Sequence, residues 1–537
     1  MANTSRKSTF YFLSFLLALI AMIVLIIHSA AIILGGASKA YDDPLVAQSF
    51  SRGNIYDAKG RLIATDKTMW TLSVLLKKAD DLPAIAAFIA PFTDQTPEQV
   101  LQICSGYETF ARITRQFDPS RVESFLAKSR KNGYANALVL EPYQGRYYPY
   151  SYHAANLIGF VGWDGFGLEG IELSYESWLR AKGKLGEAFS QGSDLYLSLD
   201  MDIQYALDVA IQAMVDENPC DFAVAMIVSS STGEIAACTS WPWYNPNRYW
   251  TYSDDKRNNL AFNAAFEPGS VFKVFSLASA LEAGTADFDA SFHCDGSYTF
   301  THNGQSFTIT CHSAHGDIDI DSMIAKSCNA AAAHWALQTE DAAFLETLTS
   351  LGFSKAPQTR LPATSGVVYP ISRWSARSKA TMAFGQELTA SALQLCMAAT
   401  AIANDGRRLD PVLVKSIESD GESVFKAVLG TGPQALSAST AQRVLEAMST
   451  ATGKGGTAVL AQVEGIEVAA KTGTSQLLGT EGGNLASTLA IVPGYVIYIA
   501  AYNPQGSTIW GANIASPAIA DVVKAMASQG LIRYEGT

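Results

Sequence analysis

A long, uncharged apolar run near the N-terminus is the feature that most limits how this chain can fold. Residues 10–34 read FYFLSFLLALIAMIVLIIHSAAIIL and contain no Asp, Glu, Lys or Arg. At about 1.5 Å of rise per residue, such a helix exceeds the ~30 Å hydrocarbon core of a bilayer. The run is also longer than the ~7–15 apolar residues of a typical signal peptide, which favours a retained anchor over a cleaved signal. The sequence therefore predicts a transmembrane helix over residues 10–35.

Charged residues on either side of this run predict its orientation. Arg6 and Lys7 precede it, whereas Asp42 and Asp43 follow shortly after it. The positive-inside rule then places the tail of residues 1–9 in the cytoplasm. Because no second run of this kind occurs, we expect a single-pass protein of the cytoplasmic membrane with the remaining chain on the extracytoplasmic face. The net charge of −12 also disfavours a nucleic-acid partner, which would need a basic surface.

Beyond the anchor, turn and helix signals indicate two α+β regions. Alternating residues around Ala58–Gly60 predict a hairpin, and Pro residues at the starts of apolar stretches predict helices throughout 81–130. Residues 36–192 are expected to form a first, elongated region. In residues 193–537, predicted strands and amphipathic helices alternate to the end of the chain, which indicates an antiparallel sheet flanked by helices.

Three short motifs carry the candidate chemistry of the second region. They are Ser270 with Lys273, then Ser327 with Asn329, then the run Lys471, Thr472, Gly473 and Thr474. A serine hydroxyl is a weak nucleophile until a base takes its proton, and residues i and i+3 of a helix share a face. A lysine at its ordinary pKa of ~10.4 is charged, but burial and a second cation such as Lys471 would lower that pKa.

The residues before Ser270 predict that it begins a helix. Pro268 and Gly269 suit a sharp turn, and the apolar sequence VFKVFSLASALEA follows. A serine at this place lies beside free backbone N–H groups and the positive end of the helix dipole, both of which favour a developing oxyanion. An ordinary helix cap is the simpler interpretation of Ser270 taken alone.

Two other Ser-x-x-Lys matches show that this motif is weak by itself. Ser423 and Lys426 enclose the same Val-Phe pair as the candidate, but Asp420 and Gly421 predict a hairpin there. On a strand, residues i and i+3 point to opposite faces, so this serine and lysine could not meet. Ser253 lies in a polar stretch, for which we predict a solvated loop.

The three motifs, in this order, resemble the signature of the penicillin-binding protein and serine β-lactamase superfamily. The resemblance covers nearly the whole chain and is closest to the class B penicillin-binding proteins. Residues 51–64 are similar to the opening box of that class, and Arg146 with residues 167–179 is similar to its pedestal motif. Further transpeptidase-domain blocks are recognisable at 198–204, 231–237, 259–273, 383–395 and 401–411.

Several positions depart from the family pattern. Ala58 and Lys59 replace the usual Arg-Asn pair of the opening box, and Ala470 stands where a glycine commonly precedes the Lys-Thr-Gly run. The sequence Ser487, Thr488 and Leu489 replaces an aromatic block. None of these changes removes a candidate catalytic group.

The resemblance implies an architecture and a reaction. The expected fold has a transmembrane helix, a pedestal over 36–192 and a transpeptidase domain over 193–537. The implied reaction is D,D-transpeptidation, in which Ser270 attacks a D-Ala-D-Ala stem peptide and an amine of a second stem peptide resolves the acyl-enzyme. Lys273 would be the base. β-Lactams would acylate the same serine, and no cofactor or metal is implied.

The same resemblance assigns the remaining roles. Ser327 would relay a proton toward the leaving D-alanine, and Asn329 would hold the peptide amide and orient the lysine base. Lys471 and Thr472, within the Lys-Thr-Gly run that includes Gly473, would bind the terminal carboxylate. The backbone N–H groups of Ser270 and Thr474 would form the oxyanion hole. The implied partner is a SEDS-type glycosyltransferase, contacted through the anchor and the pedestal.

Two alternative functions stay open from the sequence. The domain could act as a β-lactam sensor or hydrolase, or the protein could serve mainly as a scaffold for its glycosyltransferase partner. The length of the pedestal disfavours a simple hydrolase. The intact set of Ser270, Lys273 and Lys471 disfavours a purely structural role.

Histidines and cysteines crowd into residues 293–315. Asn303 and Gly304 predict a hairpin that would bring Cys294 and Cys311 roughly opposite each other. A disulfide, a pair of unpaired small thiols and a zinc site are all compatible with these residue types. The absence of a tight Cys-x-x-Cys spacing disfavours zinc. Cys328, between Ser327 and Asn329, is expected to be a buried small hydrophobe.

Overall fold

The computed structural model describes residues 22, 49–93, 95–181, 189–286, 289–477 and 482–533. The predicted cytoplasmic tail, the transmembrane helix apart from Met22, and residues 36–48 at the start of the predicted pedestal lie outside the described residues. Among the residues that are described, no helix is both long and apolar enough to cross a bilayer. The parts Ser51–Ala181 and Gly192–Thr537 form one compact unit.

The first half of the described chain contains short helices and the strands of a pedestal. Its strands are β1 (Ser49–Ser51), β2 (Ile55–Tyr56), β3 (Leu62–Leu75), β4 (Phe110–Phe117), β5 (Leu138–Tyr147), β6 (Phe189–Gln191) and β7 (Asp194–Leu197). Its α-helices are α1 (Leu82–Ile89), α2 (Pro97–Ser105), α3 (Val122–Lys131), α4 (Ala155–Ile158), α5 (Gly170–Ser174) and α6 (Glu176–Leu179).

The second half is richer in helices. Its strands are β8 (Phe222–Ser229), β9 (Ile235–Trp241), β10 (Phe292–Cys294), β11 (Ser297–His302), β12 (Gln305–Thr310), β13 (Gly316–Ile318), β14 (Val414–Ser419), β15 (Glu422–Lys426), β16 (Ala469–Gln476), β17 (Asn484–Val492) and β18 (Tyr495–Tyr502). Its α-helices are α7 (Met201–Glu217), α8 (Asp254–Arg257), α9 (Leu260–Asn263), α10 (Lys273–Glu282), α11 (Ile320–Ala325), α12 (Asn329–Gln338), α13 (Asp341–Ser350), α14 (Ser378–Met382), α15 (Ala392–Ala403), α16 (Ala438–Thr450) and α17 (Gly511–Ser528).

The pedestal agrees with most of its sequence-based predictions. The predicted hairpin is present, with Ile55 of β2 opposite Ala64 of β3. Three of the predicted helices are α1, α2 and α3, but the prediction that 81–130 is helical throughout is wrong over β4. In that strand Ala111 and Ile113 are buried while their neighbours are more exposed, so the local pattern has the two-residue period of a strand.

A mixed sheet joins the pedestal to the rest of the unit. The strand order is β15-β14-β7-β2-β3-β4, and β5 pairs with β3. Strand β2 runs parallel to β7, with Ile55 opposite Leu195. The sheet therefore continues across the predicted domain boundary at 192/193. The boundary itself stays a prediction.

The core of the second half is a five-stranded antiparallel sheet in the order β16-β17-β18-β8-β9. The inner strands β8, β17 and β18 are buried at consecutive positions, the pattern expected when both faces of a sheet are covered. Helices α7 and α17 pack against each other and against strands of the sheet, and α15 packs against β8 and β18. These layers confirm the predicted α+β class. Strand β16 at the sheet edge carries the third motif.

A buried ionic network links the opening box to the pedestal motif. The carboxylate of Glu172, fully buried, accepts hydrogen bonds of 2.7 Å from Arg52 Nε and 2.7 Å from Arg146 Nε. Arg146 also pairs with Asp66 at 3.1 Å. Burial alone would raise the pKa of Glu172, but the two guanidinium groups hold that pKa below its ordinary value. The family motifs at 51–64 and 167–179 are thus two halves of one electrostatic cluster.

This network predicts that Glu172→Gln is strongly destabilising. The substitution removes the counter-ion that two buried guanidinium groups share, which costs up to about 3–5 kcal/mol in the free energy of unfolding, although Arg52 keeps its ion pair with Glu176 and Arg146 that with Asp66. Chemical denaturation of the full chain, followed by circular dichroism, measures the loss. Glu123→Gln, on the exposed side of α3, is the matched control and should leave the unfolding midpoint unchanged. Equal midpoints for the two variants would contradict the prediction.

Candidate active site

Ser270 lies at the beginning of a helix, as its sequence context predicts. Residues Gly269–Phe272 form a 3₁₀ turn that continues directly into α10. Gly269 has φ +57°, and a Cβ there would approach Ser475 Cβ to 2.9 Å. Ser475 in turn donates a 2.7 Å hydrogen bond to the carbonyl of Glu267. The turn before the serine is therefore held closely against β16, and glycine is required at 269 for both conformation and space.

Lys273 brings the first two motifs together. Its Nζ lies 2.5 Å from Ser270 Oγ, 2.7 Å from Asn329 Oδ1 and 3.2 Å from Ser327 Oγ. The side chain is fully buried, and that burial lowers the pKa of Lys273 to about 7. A substantial fraction of the amine is therefore unprotonated near neutral pH and able to accept the proton of Ser270.

The second motif lies on a strained connection between two helices. Ser327 lies between α11 and α12 and has φ +57°, a left-handed conformation that is uncommon for a residue other than glycine. Asn329 is the first residue of α12, and its Nδ2 donates a 3.2 Å hydrogen bond to the carbonyl of Thr310. The bend at Ser327 allows both side chains to reach the amine of Lys273.

The third motif lies on the edge strand β16. Lys471 is fully buried, and its Nζ donates to the carbonyl of Thr472 at 3.1 Å. Burial, followed by the nearby Lys273, holds the pKa of Lys471 well below its ordinary value. Thr472 Oγ1 donates to Thr457 Oγ1 at 3.1 Å, and Thr474 Oγ1 accepts from the backbone N–H of Gly511 at 3.2 Å.

Gly473 explains why this strand can approach the serine turn. A Cβ at 473 would lie 2.6 Å from Ser487 Oγ, 2.9 Å from Val271 Cγ2 and 3.0 Å from the carbonyl oxygen of Pro268. Any side chain at this position would push β16 away from the turn that carries Ser270. Ser487, one of the positions that departs from the family pattern, is itself buried against this contact.

The other two Ser-x-x-Lys matches have different environments. The predicted hairpin is confirmed at Asp420 and Gly421, and Ser423 lies on β15, whose residues are all exposed. Ser253 is exposed and outside any helix or strand, as predicted, but the stretch after it is not a loop, because Asp254–Arg257 forms one helical turn with acidic residues at its start and basic residues at its end. That arrangement complements the helix dipole. The turn is solvent-exposed at Ser253.

Some groups at the site have no signal in the sequence. Thr457 reaches Thr472, Thr310 reaches Asn329, and Gly511 reaches Thr474, each through a contact between distant segments. Two of these contacts use backbone atoms, for which residue type carries no information. The Thr457 hydroxyl follows a glycine-rich loop that has no recognisable pattern of its own.

The cysteines near the site are not joined by disulfides. The seven cysteines all lie in the described ranges and none of them is in a disulfide, and Cys294 Sγ lies 3.8 Å from Cys311 Sγ. The predicted hairpin is present, because β11 and β12 pair around Asn303 and Gly304. The prediction that Cys328 is buried is confirmed.

Together these contacts provide the parts that serine acyl transfer needs. A half-buried hydroxyl faces a buried amine whose pKa is lowered to about 7, and a second hydroxyl and a carboxamide contact the same amine. A second buried lysine lies on the adjacent strand edge. Chemically, such a set can provide a nucleophile, a base for it and a further hydroxyl able to carry a proton.

Comparisons with known proteins show which family the chain resembles. Residues 223–524 match the model of the penicillin binding protein transpeptidase domain, and residues 48–188 match that of the penicillin-binding protein dimerisation domain. A probable peptidoglycan D,D-transpeptidase PenA of Neisseria meningitidis is 29% identical over 451 residues, which cover 79% of this chain and 74% of that protein. The peptidoglycan D,D-transpeptidase FtsI of Escherichia coli is 25% identical over 505 residues, covering 87% and 82%.

A solved structure shows the same fold. Penicillin binding protein 3 of Mycobacterium tuberculosis, complexed with aztreonam, superposes with a TM-score of 0.71 at 23% identity, covering 90% of this chain and 97% of that one. The transpeptidase match alone spans more than half of this chain, and the dimerisation match covers the pedestal. This chain belongs to the penicillin-binding protein family, as a class B member that joins a dimerisation-type pedestal to a transpeptidase domain.

Proposed function

We propose that this protein is a peptidoglycan D,D-transpeptidase that cross-links stem peptides in cell-wall synthesis through an acyl-enzyme on Ser270. The observation that carries the proposal is the 2.5 Å approach of the buried Lys273 Nζ to Ser270 Oγ. The two transpeptidases named above are relatives over most of this chain. No cofactor enters the proposed reaction.

The first half-reaction forms the acyl-enzyme. Lys273 takes the proton of Ser270 Oγ, which attacks the carbonyl carbon of the D-Ala-D-Ala peptide bond. The backbone N–H groups of Ser270 and Thr474 stabilise the oxyanion that forms. Ser327, which shares the amine of Lys273, passes a proton to the leaving nitrogen as the bond breaks and D-alanine departs.

Substrate positioning falls to the strand edge and to Asn329. The C-terminal carboxylate of the donor peptide binds near Lys471 and Thr472, while Gly473 keeps the strand close enough to the serine for the same substrate to reach both. The carboxamide of Asn329 holds the peptide amide and orients Lys273 through the 2.7 Å contact. The second half-reaction is the reverse chemistry, in which an amine of another stem peptide attacks the ester and releases Ser270.

The same serine is the proposed target of β-lactams. A β-lactam presents a strained amide with a nearby anionic group, so it can occupy the place of the D-Ala-D-Ala terminus and acylate Ser270. Two of the structural neighbours are complexes of penicillin binding protein 3 with aztreonam and with ampicillin.

The N-terminal run supports a proposal for location. We infer that residues 10–35 anchor the protein in the bacterial cytoplasmic membrane, with residues 1–9 in the cytoplasm. The pedestal of residues 36–192 and the transpeptidase domain of residues 193–537 would then be extracytoplasmic, where peptidoglycan lies. Anchor and pedestal together are the proposed contact for a SEDS-type glycosyltransferase that supplies uncross-linked strands.

Replacement of the nucleophile provides the direct test of the proposed reaction. The parent protein should take a covalent label from a fluorescent penicillin, and Ser270→Ala should take none, because no ester can form. Ser423→Ala is the matched control, since Ser423 belongs to an identical Ser-Val-Phe-Lys sequence on an exposed strand, and it should label like the parent. Label that persists on Ser270→Ala would refute the assignment, and label shed within seconds from the parent would indicate a hydrolase instead.

The lowered pKa of Lys273 predicts a pH dependence of acylation. Since only the neutral amine can accept the proton, the acylation rate should rise about tenfold per pH unit below the pKa of about 7 and level off above it. Stopped-flow measurement of penicillin acylation between about pH 5.5 and 8.5 tests this. A rate that is flat over this range, or that still rises tenfold per unit at its upper end, would contradict Lys273 as a base of neutral pKa.

Reporter fusions test the proposed orientation. Alkaline phosphatase, which is active only outside the cytoplasm, should be active when fused after residue 50 and inactive when fused after residue 9. Green fluorescent protein fused at the same two positions should show the reverse pattern. Fluorescence from the fusion after residue 50 would overturn the assigned topology.

A further inference from the structure

Four metal-ligating side chains converge beside the second motif, in a place that the proposed reaction does not use. They are Cys294, Cys311, His315 and Cys328, and their ligand atoms all lie within 4.8 Å of one another. Cys294 and Cys328 are fully buried, and the other two are half-buried. We propose that one Zn²⁺ ion is bound by these four side chains in a closed, tetrahedral structural site.

Three of the six distances between donor atoms match the edges of a zinc tetrahedron, and the others lie within 4.8 Å. Zn–S bonds of about 2.3 Å and Zn–N bonds of about 2.0–2.1 Å place sulfurs about 3.8 Å apart, and a sulfur and a nitrogen about 3.5 Å apart. Cys294 Sγ and Cys311 Sγ are separated by 3.8 Å, and Cys311 Sγ and Cys328 Sγ by 3.7 Å. Cys294 Sγ lies 3.5 Å from His315 Nδ1. These side chains are therefore already arranged around a common centre.

The backbone around the cluster is arranged to support thiolates. The N–H of Ala330 donates to Cys311 Sγ at 3.3 Å, and the N–H of Ala331 donates to Cys328 Sγ at 3.4 Å. Both donors belong to the first turn of α12, where free N–H groups and the helix dipole favour negative charge. Such N–H···S bonds are the outer support that thiolate ligands of a metal need.

Pairing of thiols explains the cluster less well than a metal does. Three cysteines that face one another can form at most one disulfide, which would leave the third thiol and the imidazole without a role. Three thiolates and an imidazole suit Zn²⁺, whereas Ca²⁺ and Mg²⁺ prefer oxygen ligands. Because the protein supplies four ligands, no position stays open for water, so the site is structural rather than catalytic. Binding releases the protons of those cysteines that are thiols.

The proposed zinc site is adjacent to the second motif. Cys328 stands between Ser327, whose backbone has φ +57°, and Asn329, and both neighbours contact Lys273 Nζ. Cys311 follows Thr310, whose carbonyl accepts the hydrogen bond of the Asn329 carboxamide. An ion at this centre would fasten the ends of β10 and β12, the start of β13 and the start of α12. It would thereby fix the second motif in its bent conformation.

Metal analysis of the full-length chain, purified in detergent without chelator, tests the proposal. The parent should contain about one equivalent of zinc, and Cys328→Ser, Cys311→Ser and His315→Ala should each fall below about a tenth of an equivalent. His312→Ala and Cys220→Ser are the matched controls, because neither side chain belongs to the cluster, and both should keep their zinc. Ser270→Ala should also keep it, so that failure of the proposed enzymatic function is distinguishable from failure of the metal site.

Replacement of the bound metal of the parent protein by Co²⁺ gives a second measurement. It needs no substituted variant, so it does not depend on whether the variants fold. Tetrahedral coordination by three thiolates should produce intense ligand-field bands in the red and a thiolate-to-cobalt charge-transfer band. The proposal would be overturned if the parent contained no metal and gave no such Co²⁺ spectrum, while the thiols of Cys294, Cys311 and Cys328 all reacted with a thiol reagent after denaturation. A disulfide among the three found by non-reducing peptide mapping, or a stoichiometric metal other than zinc, would also overturn it.

Discussion

The structure of the site depends on how one amine, that of Lys273, is buried. A charged ammonium in a protein interior is costly unless it is paired, and its partners here are oxygens of two hydroxyls and a carboxamide rather than a carboxylate. The group therefore lowers its pKa toward neutrality instead of acquiring a counter-ion. The lowered pKa allows the lysine to act as a base. A carboxylate in the same place would stabilise the charged form and remove the basicity that acyl transfer needs.

The pedestal also buries cationic side chains, but it pairs them with carboxylates. There, Arg52 and Arg146 are buried against Glu172, and all three groups stay ionised because each has partners of opposite charge. Guanidinium groups cannot lose their protons at accessible pH, so arginine requires this solution. One buried cluster thus supports the fold through ion pairing, whereas the other keeps a group reactive by withholding its counter-ion.

The partners of Lys273 must be delivered from elements that lie far apart in the chain. Ser270 is on the 3₁₀ turn that leads into the helix of the lysine, whereas Ser327 comes from the bend between α11 and α12, and Asn329 from the first residue of α12. The second lysine of the site, Lys471, comes from the edge of the central sheet. Gly473 and Gly269 allow the sheet edge to approach the helix, and the left-handed Ser327 turns the bend inward. The proposed zinc site would lie next to this bend, which is where an additional constraint would have the greatest effect on the geometry around the amine.

Local patterns in the sequence were sufficient for the local elements. The apolar helix after Ser270, the hairpins at Ala58–Gly60 and at Asp420 with Gly421, and the α+β class all follow from periodicity and turn residues, which act over a few positions. The resemblance carried by the three motifs extended this to the family. Strand β4 was missed because its two-residue pattern is weak between two clear helices.

What only the tertiary structure decided is which distant atoms meet. The ligands of the thiol cluster come from four separate segments, so their spacing in the sequence matches no known metal-binding motif. The missing Cys-x-x-Cys spacing even disfavoured zinc. The contacts of Thr310 and Gly511 with the site use backbone atoms that every residue type has. Residue type and spacing encode the local conformation of a segment, such as a helix, a strand or a turn. The separations between Lys273, Asn329 and Lys471 are set by the packing of the whole unit, in which the strand edge, two helix starts and one bend share a single buried space.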